Sequence, residues 1–474
     1  MKFIRLVAAL SAAAVLTACT SAPVATVAPP PLAATYANAD LAAGDPATGD
    51  PAAGGPAAAT DAWWHGFHDP ILDRLVERAL ANNLDLKAAV ARIDAARAVR
   101  IGAASQWFPS LDLNAGAERQ RLSASQAFPT NTPTIGNAFD LNASVAWEVD
   151  IFGRIRQGVS AADADIVSAQ NDAAAVRIAT IDETVRTYVT VRGLEQRLAL
   201  IEANAQSQRG TEASTRRLFD AGVVPIADVD RAAAQAETTL AELPALQLQR
   251  QAAIHRLSII TASTPQDVYA QLDPPAPGPE WTAAAAGIGT PADLLRRRPD
   301  VRAAEARVVA AYARIGVAEA DLKPHLQLIG LIGAAVDGFS GATLARSLAW
   351  MAGAGASAPL FDGGRRRSVV ALRRAQADQA VAAYRSTVLT AVSDVETSVA
   401  ATARDHSRTE RLERAVSNAR DAYTQINRSW RSGESAFIDT LEVQRSLLAA
   451  EDSLAQARTD EMLAQVGLMT ALGQ

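Results

Sequence analysis

Residues 139–151 read FDLNASVAWEVDI, and this stretch decides the fold. Its odd positions are all apolar, from Phe139 to Ile151, whereas most of its even positions are polar or charged. Because successive side chains of a strand point to opposite faces, the alternation predicts a β-strand with one apolar and one polar face. Residues 111–118 alternate in the same way. The polar segment between the two stretches completes a predicted β-hairpin over residues 111–151.

The second half of the chain repeats this pattern. A hairpin is predicted over residues 326–360, although Ile329 and Leu331 break the alternation of its first strand. The approach to each hairpin is also duplicated. Residues 84–113 (LDLKAAVARIDAARAVRIGAASQWFPSLDL) match residues 299–328 (PDVRAAEARVVAAYARIGVAEADLKPHLQL). Such an echo at a fixed distance indicates an internal duplication.

Very long helices are predicted after both hairpins. Residues 365–432 contain neither Gly nor Pro, and one helix of this length would extend about 100 Å. Its counterpart is expected over residues 154–219. Returning helices are expected over residues 226–262, with a kink at Pro244, and over residues 437–471.

The turns between these helices share one spacing. Gly222 precedes Asp228 by six residues, and Gly433 precedes Asp439 by six residues. Glycine tolerates a positive φ angle without steric cost, so both turns are expected to pivot at glycine.

Two structural repeats are therefore expected, over residues 61–264 and 291–474, joined by a segment over residues 265–290. Each repeat should open with one helix, from Pro70 to about Ser105 in the first. The matching helix of the second repeat should run from Pro291 to about Asp321.

The first 60 residues are typical of an export signal followed by an anchor. Residues 1–18 combine Lys2 and Arg5 with an apolar run, as a secretory signal does. The sequence LTAC at 16–19 resembles the bacterial lipobox, so we expect N-acyl and S-diacylglycerol lipid on Cys19. Thr20 in the following position favours the outer membrane. Residues 19–60 are rich in Ala, Pro and Gly and are predicted to form a flexible tether.

Composition excludes several classes of function. The formal net charge is −6, which gives no electrostatic case for binding nucleic acid. The single cysteine excludes an internal disulfide. Beyond the first residues no run of about 20 apolar residues predicts a transmembrane helix. No catalytic or metal-binding constellation is evident, so we expect no enzyme, no metal and no cofactor apart from the lipid.

The strand count predicts assembly. Four strands cannot close a barrel, and an open sheet edge in lipid leaves unpaired backbone groups that cost several kcal/mol each. Two copies would supply eight strands, and side chains just fill the interior of an eight-stranded barrel. Three copies would supply twelve strands and leave a lumen, which favours a trimer.

The order and spacing of these motifs resemble the TolC-like outer membrane factors. The similarity is strongest to the lipidated branch of multidrug efflux outer membrane channels, of the OprM/NodT-like type. It extends over residues 61–474 and includes WWHGFHDPIL at 63–72 and the helix-to-strand joins at Pro109 and Pro324. The resemblance implies an α+β membrane protein: a homotrimeric twelve-stranded outer membrane barrel, four strands per chain, continued by an α-helical coiled-coil periplasmic tunnel. It also implies a periplasmic adaptor and an inner membrane pump as partners of a passive, gated conduit.

The resemblance also implies site residues. Asp439 and Glu442 take the positions of the acidic periplasmic gate. Asp228 takes the position of a residue that latches the closed end. The positions of the usual latch partners hold Ser435 and Trp430. Gly222 and Gly433 would face the adaptor. Read without the resemblance, Asp439 and Glu442 are solvated acids at a helix start, where the helix dipole favours them.

Two other functions remain open at the level of the sequence. One is a lipid-anchored periplasmic coiled-coil scaffold without a pore. The other is an exit duct for type I protein secretion.

Overall fold

A computed structural model describes residues 28–42, 62–125, 132–273, 288–337 and 348–474. The signal segment and Cys19 lie outside the described residues. The described chain is mostly helical and contains one four-stranded sheet.

The first half contains seven α-helices, one 3₁₀-helix and two strands among its described residues. They are α1 (Ala39–Ala42), the 3₁₀-helix Trp63–Phe67, α2 (Pro70–Asn82), α3 (Leu84–Ser105), β1 (Ser110–Leu122), β2 (Thr134–Val149), α4 (Arg154–Asp220), α5 (Ile226–Leu240), α6 (Leu243–Ile260) and α7 (Pro265–Leu272). The described second half contains α8 (Pro291–Arg297), α9 (Pro299–Ala320), β3 (His325–Asp337), β4 (Leu348–Ser357), α10 (Arg365–Arg431) and α11 (Phe437–Ala471).

The chain divides into two compact units. The sheet unit consists chiefly of Arg92–Gln170 and Ala303–Arg385, and the helical unit consists of Pro29–Ala91, Asn171–Arg302 and Ser386–Gln474. Each unit takes residues from both halves of the sequence. The predicted repeats, residues 61–264 and 291–474, are therefore not the compact units, because each repeat contributes elements to both.

The predicted opening helices are each two helices, and local chemistry explains both breaks. Asn83 separates α2 from α3: its side-chain oxygen accepts from the Leu86 amide at 2.9 Å, and its amide donates to the Ile260 carbonyl at 3.0 Å. Arg298 separates α8 from α9 with φ −76° and ψ 117°. A residue before proline is disfavoured in the helical region, and Pro299 follows.

The returning helix of the first half also differs from its prediction. A kinked helix was expected over residues 226–262, but α5 ends at Leu240 and α6 begins at Leu243. Pro244 lies in the first turn of α6, where its missing N–H leaves no bond unmade. The proline therefore starts a new helix instead of bending a continuous one.

The equivalent long helices of the two halves have equal lengths. Helices α4 and α10 each contain 67 residues. Arg154 and Arg365 are 211 positions apart, and so are Asp220 and Arg431. The start of α5 also lies 211 positions before the start of α11, and the end of α6 lies 211 positions before the end of α11. This holds although the returning helix of the first half is divided in two. The break therefore does not change the register between the halves.

The sheet joins the two halves. Its order is β1-β2-β3-β4, and every neighbouring pair is antiparallel. The central pair joins one hairpin to the other, with Ala138 opposite Asp337 and Val149 opposite Leu326. Among the described residues, β1 and β4 have no partner on their outer sides.

One face of the sheet is apolar except near the β1–β2 loop, where Arg119, Arg121 and Asn137 lie on it. The strand register places on this face Leu111, Leu113, Ala115, Ala117, Phe139, Leu141, Ala143, Val145, Trp147, Val149, Leu326, Leu328, Ile332, Ala334, Val336, Leu348, Trp350, Ala352, Ala354 and Ala356. Its large side chains are open, with Leu113 74% and Trp350 77% exposed. The opposite face carries a polar network, in which Asn114 donates to Asn142 at 3.3 Å and Asn142 donates to Asp140 at 3.3 Å.

The main core lies in the helical unit, where the 3₁₀-helix packs against the long helix α4. The aromatic residues Trp63, Trp64 and Phe67 are 3–4% exposed. The cluster also contains Leu72, Leu75, Val76, Ile181, Val185, Tyr188, Val189, Val191, Ile254, Leu257, Val268, Leu272, Val466 and Met469.

A buried charged network crosses this core. Arg192 is fully buried; its Nε donates to the Tyr188 hydroxyl at 3.0 Å, and its Nη1 donates to Glu195 at 2.7 Å. The Tyr188 hydroxyl donates in turn to Asp69, which caps α2. Burial, together with this bond to Asp69, raises the pKa of Tyr188. Arg250 completes the network by donating to Glu195 at 2.6 Å.

Residues 28–42 form a strap on the helical unit. The Glu396 carboxylate accepts from the backbone amides of Ala37 and Asn38, at 2.5 and 3.0 Å, and from the Asn38 side chain at 2.9 Å. Tyr36 is 4% exposed, and burial raises its pKa to about 12. This differs from the flexible tether predicted over residues 19–60, because Tyr36 is buried and Ala37 and Asn38 bind Glu396, far along the chain.

No helix among the described residues is long and apolar enough to cross a bilayer.

Arg192→Ala is expected to lower the free energy of unfolding by about 3 kcal/mol, because it leaves buried polar partners without their cation. The control is Arg209→Ala, an exposed position on the same helix, which should change stability by less than about 0.5 kcal/mol. The measurement is chemical denaturation in detergent, followed by far-ultraviolet circular dichroism. Equal midpoints for the two variants would contradict a stabilising role of the network.

Candidate functional site

The candidate site comprises the two turns of the helical unit. The first turn connects α4 to α5 and the second connects α10 to α11. Gly222 has φ +72° and Gly433 has φ +80°, the left-handed conformation that favours glycine.

Both turns close their helices with the same bonds. Gly222 N–H donates to the Phe219 carbonyl and Val223 N–H donates to the Leu218 carbonyl, both at 2.8 Å. Gly433 and Glu434 make the equivalent bonds, both at 2.9 Å. This pair of bonds defines a Schellman motif, which satisfies the last carbonyls of a helix. Two segments 211 positions apart therefore adopt one turn geometry, as their common spacing predicts.

A cavity of about 1330 Å³, which we call the turn groove, lies between the two turns. Its lining includes Val223, Asp228, Tyr423, Trp430 and Ser435. Burial raises the pKa of the Tyr423 hydroxyl, and Arg431 and Thr211 oppose the shift. The groove therefore brings together the predicted latch residue and the two positions that its partners usually occupy.

An aromatic cluster forms one wall of the turn groove. The rings of Trp430 and Phe437 lie 5.1 Å apart, and they pack with Ala232 and Leu441. Trp430 therefore packs on the start of α11.

Asp228 binds a residue of its own helix. It is 9% exposed, and Arg231 Nη1 donates to its Oδ1 at 2.9 Å. Ser435 Oγ instead donates to the Ile426 carbonyl at 3.5 Å. Sequence reasoning did not identify Arg231, although its position three residues after an acid on a helix is a recognisable signal.

Asp439 and Glu442 lie on the exposed side of the first turns of α11. Asp439 Oδ2 accepts from the Ala436 amide at 3.3 Å, which caps the helix. Neither residue lines the turn groove. Both residues are exposed to solvent.

No group of three or more His, Cys, Asp or Glu side chains in the described part of the chain could hold a metal ion.

Comparisons with known proteins agree with this fold. The family model described as outer membrane efflux protein matches residues 75–263 and 290–474. Nodulation protein T of Rhizobium leguminosarum bv. trifolii is 32% identical over 400 residues, which is 84% of each chain. Outer membrane protein OprJ of Pseudomonas aeruginosa is 32% identical over 416 residues, 86% of this chain and 85% of that protein.

A solved structure of the outer-membrane channel OprN has a TM-score of 0.87 at 33% identity. The similarity extends over 96% of this chain and 99% of that one. The chain belongs to the outer membrane efflux protein family, which is a family of conduits and not of enzymes. It is thus an outer membrane channel component of an efflux system, and its α+β fold is confirmed.

Gly433→Ala is expected to destabilise the second turn by about 1–2 kcal/mol, because a Cβ is disfavoured at positive φ. The matched control is Gly210→Ala within α4, where an added Cβ meets no atom within 4 Å and alanine should stabilise by about 0.5–1 kcal/mol. Hydrogen exchange of residues 428–437 and the denaturation midpoint measure the two effects. Variants of equal stability would contradict the requirement for glycine at the turn.

Proposed function

We propose that three copies of the chain pool their sheets into a twelve-stranded outer membrane barrel that is continued by a helical tunnel in the periplasm. The carrying observation is that β1 and β4 are open edges of a sheet with one exposed apolar face. Unpaired backbone groups are costly in lipid, so β4 of one copy should pair with β1 of the next. Twelve strands leave a lumen, whereas eight are filled by side chains.

The height of the apolar face supports this assignment. On β2 the face extends from Phe139 to Val149. At about 3.4 Å per residue and a tilt of about 40°, this length rises about 26 Å, close to the apolar band of about 25 Å on membrane barrels. A scaffold in the periplasm would instead expose this face to water.

The assembled trimer would be a passive, gated conduit for small molecules. It would receive them from an inner membrane pump through a periplasmic adaptor, and the pump would supply the energy. Membership of the efflux family supports this role.

The gate would be formed by carboxylates. Asp439 and Glu442 are exposed near the start of α11, so three copies would bring six acids around one axis. Like charges at close range repel each other and attract cations. The bond between Asp439 and the Ala436 amide would hold one of the two acids in a fixed position.

The two turns would meet the adaptor. Around both Gly222 and Gly433, no atom lies within 4 Å of the position a Cβ would take, which leaves the backbone accessible to a close partner. The ion pair between Asp228 and Arg231 lies within α5 and would fix the Asp228 carboxylate beside the turn groove, where the partners usual in the family's latch are absent.

The lipid on Cys19 would anchor the assembly from the periplasmic side. The strap over residues 28–42 supports this role, because its bonds to Glu396 attach the segment after the anchor to the helical unit.

The first test is the mass of the protein after mild detergent extraction from outer membranes, measured by light scattering with the detergent subtracted. Three chains per particle are expected. A monomer, or protein released without detergent, would contradict the shared barrel and favour the scaffold.

A second test concerns the gate. Asp439→Ala combined with Glu442→Ala is expected to raise single-channel conductance in planar bilayers, because the repelling carboxylates and their bound cations are removed. The matched control exchanges the acids, Asp439→Glu with Glu442→Asp, and should conduct like the wild type. Unchanged conductance in the alanine variant would remove these residues from the constriction.

A further inference from the structure

The polar face of the sheet is not uniformly polar. Ile329, Leu331 and Met351 lie on the same face as Asp112 and Asn142. They are 41%, 37% and 52% exposed, respectively. Ile329 and Leu331 are the residues that break the alternation of β3, so the irregularity in the sequence corresponds to a real feature of the surface.

The strand register makes these side chains neighbours. Leu331 is paired with Met351, and Ile329 is paired with Gly353. Small residues surround them, since Gly355 and Gly333 lie on the same face, and a Cβ at Gly355 would meet no atom within 4 Å. We call Ile329, Leu331 and Met351 the inner patch. Nothing on these two strands covers it on this face.

Acidic side chains share the face with the inner patch. Asp112, Glu118 and Asp140 lie on it, and among the described strand residues it carries no lysine or arginine. Another acid on this face, Glu148, is paired with Arg154 at 2.8 Å and with His325 at 3.4 Å. Asp112 lies in the same row as Leu331, whereas Asp140 and Glu118 lie four and six residues farther along the strands, so Asp112 is the nearest of these three acids to the patch.

The distance between charge and patch is set by the sheet. Asp112, Ser144, Leu331 and Met351 form one row across the four strands. Asp112 and Leu331 are two strands apart, about 10 Å at the usual strand spacing. A molecule of drug size therefore reaches the apolar side chains and the carboxylate at once.

We propose that the inner patch and Asp112 form a contact site for organic cations with an apolar body as they pass through the barrel. The proposal rests on the proposed function, in which this face lines the lumen. Three copies would alternate apolar and acidic strips around the channel. An open surface contact of this kind binds weakly. A conduit requires weak binding, because cargo must leave as well as enter.

The test uses planar bilayer recordings with three probes added to both chambers: tetraphenylphosphonium, tetraphenylborate and tetramethylammonium. The first is an apolar cation, the second an apolar anion of the same shape, and the third a small cation. Brief blocks by tetraphenylphosphonium alone are expected. Equal block by tetraphenylborate, or no block by any probe, would overturn the site.

Variants locate the site within the barrel. Leu331→Ser combined with Met351→Ser is expected to weaken tetraphenylphosphonium block about tenfold, as the loss of small apolar contacts does. Asp112→Asn should weaken it as well. The matched control is Ala335→Ser, on the same face of β3 but outside the inner patch. Equal block in the double variant and the control would overturn the assignment.

The outcomes separate the two proposals. Channels that conduct but show no selective block contradict only the contact site. Protein that purifies as trimers without forming channels contradicts the conduit itself. Each variant is first checked for trimer mass, and if the double variant does not assemble, Leu331→Ala and Met351→Ala are recorded singly, with weaker block expected for each.

Discussion

The open edges of the four-stranded sheet are the constraint on which the rest of the structure depends. A sheet with an apolar face of this height is suited to lipid, but lipid does not tolerate unpaired strands. One chain cannot satisfy β1 and β4 by itself, so its sheet is complete only in an assembly. The duplication contributes to the same sheet, because each half adds one hairpin and β2 pairs with β3 in a continuous antiparallel register.

The two halves have the same turn geometry, but their returning helices differ. Both turns use the same glycine geometry and the same pair of bonds. The returning helix is continuous as α11 but divided as α5 and α6, and the residue after the glycine is Val223 in one half and Glu434 in the other. The two turns therefore have one backbone geometry but lead into helices with different side chains. Asp439 and Glu442 lie near the start of α11.

Periodicity predicted the strands, the long helices and the turns because these features depend on neighbouring residues. The break at Asn83 depends on the Ile260 carbonyl, 177 residues away, and the strap depends on Glu396, more than 350 residues away. The composition of residues 19–60 predicted little to bury, yet Tyr36 is buried. The site was predicted less completely than the fold: the shared glycine turns were found, whereas the pairing of Asp228 with Arg231 was missed.

The equal lengths of α4 and α10 restrict how this sequence can change. One inserted residue in either helix would turn everything beyond it by roughly 100° relative to its counterpart. The offset between the halves is 215 positions from Leu84 to Pro299 and 211 from Arg154 to Arg365. Between the starts of α3 and α9 and the ends of α6 and α11, the two halves therefore differ in length by four residues, and this difference lies in the hairpin segments. An insertion there changes only the reach of a loop, whereas an insertion in α4 or α10 would have to be matched in the other helix to keep the two turns in register.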